Sequence, residues 1–139
     1  MTDHGQATSI QYEWRGAFSN TELNALHPEA FDQPQSVHDW SNQLDQQSLG
    51  WVTARHQKEL VGFVNVAWDG RAHSFLLDTA VTSRWRHRGI GSLLVEGAIS
   101  NAADAGCEWL HVDFAAGLGT FYLEECGFAP TEAGVMRLR

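Results

Sequence analysis

The pattern of apolar residues between positions 51 and 81 limits the fold more than any other feature of this sequence. Residues 51–55, 60–68 and 75–81 are rich in Trp, Val, Phe and Leu, alternating with polar residues or in continuous runs, which predicts three strands. Asp69-Gly70, before the third segment, is a strong hairpin signal. The middle segment is apolar on both faces, so we place it centrally in a sheet. We therefore expect three successive antiparallel strands.

A helical period follows Gly89 and adds a parallel strand. Gly106 ends the predicted helix, and residues 109–114 have the pattern of another strand. A strand–helix–strand unit is a crossover connection, so strands 75–81 and 109–114 should be parallel neighbours. One stripe of the predicted helix carries its apolar and small residues, which are Ile90, Leu93, Leu94, Gly97, Ala98, Ala102 and Ala105.

The other segments complete an α/β protein of the α+β type. We predict a strand at 10–14, a helix from Thr21 capped by Ser19 or Asn20 and shortened or kinked at Pro28, and a helix from about 36 to 47. A short helix at 118–126 and a last strand at 135–138 follow. We expect a single domain over residues 1–139, with helices flanking a mixed, mostly antiparallel sheet.

The charge balance bears on the partners of the chain. Nine basic residues stand against seventeen acidic ones, which gives a formal net charge of −8. Such a surface repels phosphate backbones, so we expect no nucleic-acid partner. A negative field favours a cationic substrate such as an amine.

The two cysteines and the termini indicate a cytoplasmic protein. Cys107 and Cys126 do not make a disulfide framework, and we expect both thiols to be free. The first residues lack a basic segment followed by an apolar run, so no signal peptide is expected. No apolar stretch approaches the roughly 18 residues of a membrane span, so we expect no membrane partner.

The turn at residues 86–91 suggests an anion site. It lies where a strand passes into a helix, and the first turn of a helix has free N–H groups and partial positive charge. Gly89 and Gly91 lack Cβ atoms, so a phosphate can approach the backbone. Arg84, Arg86 and Arg88 add positive charge in an acidic protein. The glycine patterns of Rossmann and Walker turns are absent, and a glycine-rich helix start with solvated arginines is the alternative.

Two motifs follow one another in the chain. The first is Arg86-His87-Arg88-Gly89-Ile90-Gly91, and the second is a predicted short helix with the aromatic pair Phe121-Tyr122, followed by Gly127-Phe128. In this order they resemble the GNAT superfamily of N-acetyltransferases, whose signature is [QR]-x-x-G-x-[GA] and whose second pattern is a short helix with an aromatic pair and then Gly-Phe. The motifs cover about residues 75–128, and the spacing between them leaves room for one helix and one strand, as in the family.

The resemblance implies acetyl-CoA as cosubstrate and a role for each matching position. Amides of residues 88–92 would wrap the pyrophosphate, and the main chain of residues 79–81 would bind the pantetheine arm as an extra strand would. The Val81 amide would polarise the thioester carbonyl. The expected acetyl-CoA-binding residues are Thr79, Ala80, Val81, Arg86, His87, Arg88, Gly89, Ile90, Gly91, Ser92 and Phe121.

The chain departs from the family pattern at two places. Ser83 stands where many members have proline, and residues 115–120 contain no asparagine to bond the pantetheine. One expected hydrogen bond to CoA therefore has no donor in the sequence.

Tyr122 is the candidate general acid. It matches a family tyrosine near the CoA sulfur, and a phenol with a pKa near ~10 can protonate a thiolate without ionising at neutral pH. The alternative is a tyrosine that only packs the short helix.

The general base has several candidates. Asp113 lies near the carboxyl end of its strand, where ligands bind in α/β sheets, and can accept the substrate ammonium or its proton. The alternative is an aspartate that caps the next loop. His111 is a second candidate, although a buried core histidine is the preferred interpretation, and Asp78 is a weaker one. A chain of waters can also serve.

No metal is expected. His111 and Asp113 form a His-x-Asp pair, but metal sites need three or four converging ligands and no H-E-x-x-H or C-x-x-C is present. Cys107 and Cys126 lack the context of nucleophiles and are expected to be small buried residues.

The family builds its acceptor pocket from the first two helices. The residues there that can line it are Glu22, His27, Phe31, His38 and Trp40. Our first hypothesis is acetylation of a small primary amine in a ternary complex. A non-catalytic CoA-binding module and a protein or peptide acetyltransferase are the alternatives. The family often forms dimers through sheet edges, so a homodimer is expected as an option.

Overall fold

Five strands pair in chain order in the computed structural model, which describes residues 9–31 and 37–139. The strands are β1 (Gln11–Trp14), β2 (Ser48–His56), β3 (Glu59–Trp68), β4 (His73–Val81) and β5 (Trp109–Val112). The helices are α1 (Asn20–Ala30), α2 (Trp40–Gln47) and α3 (Ile90–Asp104), followed by a short π-type helix, α4 (Thr120–Glu125).

The pairing confirms the predicted mixed, mostly antiparallel sheet. Strands β1 to β4 are antiparallel in succession, and β5 lies parallel to β4 after the crossover through α3. β3 is the central strand, and six of its residues from Val61 to Val66 are buried. A strand covered on both faces needs apolar residues on both, which is why it has a nearly continuous apolar sequence.

Helices cover both faces of the sheet. α3 packs on one face through Ile90, Leu94, Val95 and Ala98, in a core that also contains Tyr122. α1 and α2 pack on the other face, where their core residues are Leu23, Leu26, Trp40 and Leu44, with Phe63 and Ala80 from the sheet. Gly62 of β3 permits the close approach of α3, because a Cβ there would lie 3.0 Å from Leu94 and 3.1 Å from Ile90.

The bounds of the helices follow their caps. Ser19 and Glu22 form a capping box at the start of α1, and the helix continues through Pro28 to Ala30. α2 begins at Trp40, after the predicted start, because the Asp39 side chain accepts the Asn42 N–H at 3.1 Å. Residues 32–36, where that prediction began, lie outside the described residues.

The C-terminal segment differs from its prediction. Residues 135–138 form no strand, and Val135, Met136 and Leu138 are 80–85% exposed. A segment with an alternating pattern forms a strand only where a neighbouring strand can pair with it, and no described strand pairs with this segment. β5 also ends at Val112, so Asp113 and Phe114 lie beyond the strand to which they were assigned. Among the described residues, no helix is both long and apolar enough to cross a bilayer.

Candidate active site

A gap opens between β4 and β5, and it organises the site. The two strands pair only from His73–Trp109 to Leu76–Val112, so β4 continues to Val81 without a partner on this side. On its other side, the pairing with β3 shifts register between Phe63 and Asn65. Asp78 lies in this bulge with a φ of 59°, a left-handed conformation that few residues other than glycine adopt. The bulge and the missing partner expose the main chain of β4 within the sheet.

Tyr122 closes the gap on the α3 side. It is 7% exposed and lies in an aromatic cluster, stacked on Phe114 at 5.0 Å and edge-on to Phe121 at 4.8 Å. Its side chain interacts with that of Thr79 on β4, and burial raises the pKa of the phenol despite this interaction. The phenol is therefore protonated at neutral pH and is held beside the unpaired part of β4.

The turn before α3 has the geometry of an anion site. His87 and Gly89 have φ values of 62° and 80°, which turn the chain into the helix. Gly89 is the N-cap residue, and no side chain caps the helix. The first helical bond runs from Leu93 N–H to the Gly89 carbonyl at 3.2 Å, so the N–H groups of residues 90–92 precede the hydrogen-bonded ladder.

Gly91 has a packing role in addition to the one expected. A Cβ at Gly91 would lie 3.2 Å from Cζ of Phe121, whereas a Cβ at Gly89 would meet no heavy atom within 4 Å. Gly91 therefore allows α3 to pack against α4, and Gly89 is the glycine at the open turn.

The three arginines of this region have separate partners. Arg84 forms an ion pair with Glu59, which offsets its charge. Arg86 donates to the carbonyls of Val81 at 3.2 Å and Ala30 at 3.1 Å, so it joins the end of α1 to the end of β4. Arg88 lies over the Trp85 ring at 4.7 Å. The sequence predicted three added charges, but the ion pair of Arg84 reduces the positive field of the turn.

Ser83 supplies a further link between α1 and this turn. Its N–H donates to Glu29 Oε1 at 3.0 Å. Proline, which many family members have here, has no N–H and could not form this bond. Serine at this position therefore allows a hydrogen bond between the turn and α1 that proline would prevent.

Asp113 and His111 occupy the far side of the gap. Asp113 is exposed, one residue after the end of β5. His111 is also exposed, with its Nε2 2.8 Å from His73 Nδ1 and its ring stacked on Phe75 at 4.9 Å. The preferred interpretation of His111 as a buried core residue is therefore wrong, because β5 is an edge strand and this face of it is not covered.

On the α1 side, a histidine and a carboxylate meet at the bulge. His27 Nε2 lies 3.1 Å from Asp78 Oδ1, and both side chains are mostly buried. The His27 ring stacks on Phe31 at 4.5 Å and tilts against Trp40 at 5.0 Å. His38 is edge-on to Trp40 at 4.8 Å. The structure thus brings together four of the five residues proposed for the acceptor side, and it adds Asp78.

Glu22 does not join this group. Its carboxylate accepts from Arg55 Nη1 at 2.8 Å and Nη2 at 2.9 Å, and it closes the capping box with Ser19. The bidentate bond to Arg55 holds the pKa of the Glu22 carboxyl below its usual value. Glu22 therefore links α1 to β2 through an ion pair.

We expect Glu22→Gln to lower stability by about 1 kcal/mol at neutral pH, since the variant keeps the capping geometry and loses the ion pair. A depressed folded-state pKa contributes stability above the unfolded value that is lost as pH falls. Thermal unfolding midpoints at pH 7 should therefore differ from wild type, and the difference should narrow below pH ~4. The exposed Glu132→Gln is the matched control. A difference in unfolding midpoint that stays constant with pH would contradict an ionic origin of the destabilisation.

Two surface clefts lie near these elements. One, of about 390 Å³, is lined by Phe18, Trp51 and the polar start of α2, and shares no residue with the predicted site. The other, of about 430 Å³, lies between β1, Trp85, Arg88 and Ile90, beside the turn before α3.

The remaining titratable groups show no metal-binding arrangement. Within residues 9–31 and 37–139, no three His, Cys, Asp or Glu side chains converge on one point. Cys107 and Cys126 are free and half-buried, and burial raises the pKa of the Cys126 thiol. That thiol is accordingly held in its protonated form.

Comparison of the sequence with protein families identifies its class. The profile of the Acetyltransferase (GNAT) family matches residues 10–128, which include β1, the turn before α3 and the Gly-Phe that follows α4. The chain belongs to the GNAT acetyltransferase family. None of the curated proteins searched matches the sequence significantly.

Solved structures share this fold at low identity. A putative acetyltransferase from Deinococcus radiodurans is 24% identical, with a TM-score of 0.76, over 99% of this chain and 94% of that one. A probable acetyltransferase from Staphylococcus aureus is 20% identical, with a TM-score of 0.78, over 94% and 98%. An aminoglycoside N-acetyltransferase in complex with CoA is 17% identical, with a TM-score of 0.74, over 94% of each chain. These similarities confirm the predicted GNAT fold.

Proposed function

We propose that the protein transfers an acetyl group from acetyl-CoA to a primary amine of a small molecule. The observation that carries the proposal is the gap between β4 and β5, with the protonated Tyr122 on its α3 side and the uncapped start of α3 at the end of β4. An uncapped helix start suits a pyrophosphate, and a strand without a partner suits an extended amide chain such as pantetheine. The sheet therefore offers one continuous path for the cosubstrate.

The acetyl-CoA contacts are assigned by this path. Amides of residues 88–92 face the pyrophosphate, and the β4 main chain at Thr79, Ala80 and Val81 bonds the pantetheine. The Val81 amide polarises the carbonyl that gains charge during transfer. Arg86, His87 and Phe121 shape the turn, because Arg86 bonds two carbonyls and Phe121 packs on Gly91.

Tyr122 supplies the proton for the departing sulfur. A general acid must keep its proton until the bond breaks, and burial of this phenol favours the protonated form. The interaction with Thr79 keeps the phenol beside β4, the strand assigned to the cosubstrate. Acetyl-CoA brings the activated acyl group, so positioning and electrostatics carry the rest of the catalysis.

The acceptor is proposed to be a cationic small molecule. The net charge of −8 favours amines, and the structural relatives include an aminoglycoside acetyltransferase. Asp113 is exposed beyond β5 and is assigned to hold the ammonium group at the mouth of the gap. Its exposure suits a residue that must meet a hydrated cation.

The test is a panel of acceptors incubated with acetyl-CoA, with acetylated product followed by mass spectrometry. Free Cys107 and Cys126 would interfere with thiol-reactive detection. The panel contains aminoglycosides, polyamines, aromatic amines and lysine peptides. We expect turnover with at least one small amine and none with peptides. Turnover of peptides alone would overturn the small-molecule assignment, and CoA binding without any turnover would favour the non-catalytic module.

A further inference from the structure

The contact between His27 and Asp78 joins two parts of the chain that are 51 residues apart, and it lies where β4 loses its β5 partner. Asp78 comes two residues after Leu76, the last residue of β4 that pairs with β5. The next residue, Thr79, interacts with Tyr122 on the α3 face, whereas Asp78 contacts His27 of α1 on the other face. Tyr122 and His27 therefore approach adjacent β4 residues from opposite faces of the sheet.

A second hydrogen bond, from Asn65 of β3, holds the Asp78 carboxylate. Its Oδ2 accepts from Asn65 Nδ2 at 3.4 Å, and Asn65 is 1% exposed. Asn65 Oδ1 in turn accepts from Ser48 Oγ at 2.5 Å. Asp78 also keeps the unfavourable φ of 59°. Strained backbone persists where surrounding contacts hold it, and it clusters at functional sites.

The anchored carboxylate selects the tautomer of the neutral imidazole. A carboxylate only accepts hydrogen bonds, so in the neutral ring His27 Nε2 carries the proton and the Nδ1 lone pair is free. No described residue is hydrogen-bonded to Nδ1. Packing of the ring against Phe31 and Trp40 fixes its plane. A base oriented by a carboxylate is an arrangement suited to proton abstraction.

We propose that His27 is the catalytic base for the acceptor amine and that Asp78 and Asn65 are its positioning residues. The assignment rests on the proposed acetyltransferase function and deepens it. Asp113 holds the substrate ammonium, and His27 removes a proton from it. His27 and Tyr122 thus serve the acceptor and the donor from opposite faces of β4.

The protons and bonds balance in this scheme. The ammonium gives one proton to His27 Nδ1, which passes it to solvent. The neutral amine forms the C–N bond as the C–S bond breaks, and its second proton goes to solvent. Tyr122 gives its proton to the sulfur and regains one from solvent. The sum is amine acetylation with release of CoA thiol and one proton.

The experiment compares the pH dependence of kcat for wild type, His27→Gln and Asp78→Asn with the best acceptor of the panel. We expect His27→Gln to lower kcat by about 10²-fold at neutral pH, with a smaller loss at high pH, where the free amine is already neutral. Asp78→Asn should lower kcat by about 10-fold with little change in the KM for acetyl-CoA. Within the part of the chain that the structure describes, the titratable groups around His27 are Asp78 on β4 and, through Trp40, His38.

Two controls separate this role from a structural one. His73→Gln changes an exposed histidine at the start of β4, away from the bulge at Asp78 and without contact to His27, and should retain wild-type kcat. His27→Ala, if inactive, should regain activity with added imidazole, which restores a base and no packing. Thermal shifts with CoA should remain in every variant, because the cosubstrate binds on the α3 side.

The outcomes are distinct. If His27→Gln retains kcat within about three-fold of wild type, the assignment of the base is wrong while the acetyltransferase function stands. A loss that is equal at all pH values, without imidazole rescue, also overturns it. Absence of wild-type turnover with every acceptor overturns the proposed function and, with it, this assignment.

Discussion

Tyr122→Phe should lower kcat by about 10²–10³-fold and leave the KM for acetyl-CoA nearly unchanged. The substitution removes one oxygen atom and keeps the ring that stacks on Phe114 and contacts Phe121. The variant therefore loses the proposed proton donor for the sulfur and keeps the walls of the gap. An interaction made only as the C–S bond breaks affects kcat, whereas ground-state binding affects KM. Steady-state kinetics with the best acceptor measure both quantities.

Tyr12→Phe is the matched control. Tyr12 is the other of the two tyrosines, and it lies on β1, at the opposite edge of the sheet from β5. Burial raises the pKa of Tyr12 as it does that of Tyr122, so both phenols are protonated at neutral pH. We expect wild-type kcat in the control. If Tyr122→Phe keeps its rate within a few fold, solvent protonates the sulfur and Tyr122 only packs α4.

Local patterns predicted the parts of this fold that depend on local burial. The alternation before Val81 and the helical stripe after Gly89 report which faces of each element meet the core, and the pairing confirms the order they implied. The crossover rule then placed β5 beside β4. The predicted last strand was wrong because residues 135–138 have the pattern and no neighbouring edge.

The side-chain partners in the site could not be predicted in this way. His27 and Asp78 meet across 51 residues, and the charge of Arg84 is offset by Glu59 at the start of β3. Periodicity does not encode such contacts, because they arise from how helices and strands are positioned in three dimensions. No glycine in the sequence marks the bulge that turns Asp78 toward α1, since an aspartate adopts the positive φ there. Asp78 was therefore only a weak candidate in the sequence, and it lies at the centre of the proposed acceptor side.

Gly89→Trp should abolish the thermal stabilisation of the protein by CoA. A ligand at 100 times its Kd stabilises a folded protein by about 2.7 kcal/mol, which raises the unfolding midpoint of a domain of this size by about 8 °C. A Cβ at Gly89 points into open space at the turn before α3, so the indole would occupy the volume that a phosphate needs. Thermal unfolding with and without CoA gives the shift directly.

The substitution also carries a backbone cost that must be separated from the loss of binding. Gly89 has a φ of 80°, and an L-residue there costs about 1–2 kcal/mol. Gly106, just beyond the other end of α3, is the matched control, because a substitution there has a similar backbone cost but lies away from the proposed phosphate site. Its φ is 94°, and a Cβ there also meets no heavy atom within 4 Å. Gly106→Trp should therefore unfold at a lower temperature and keep the full shift with CoA. If Gly89→Trp also keeps the shift, the pyrophosphate does not lie at this turn. If both variants lose it, the loss comes from general destabilisation.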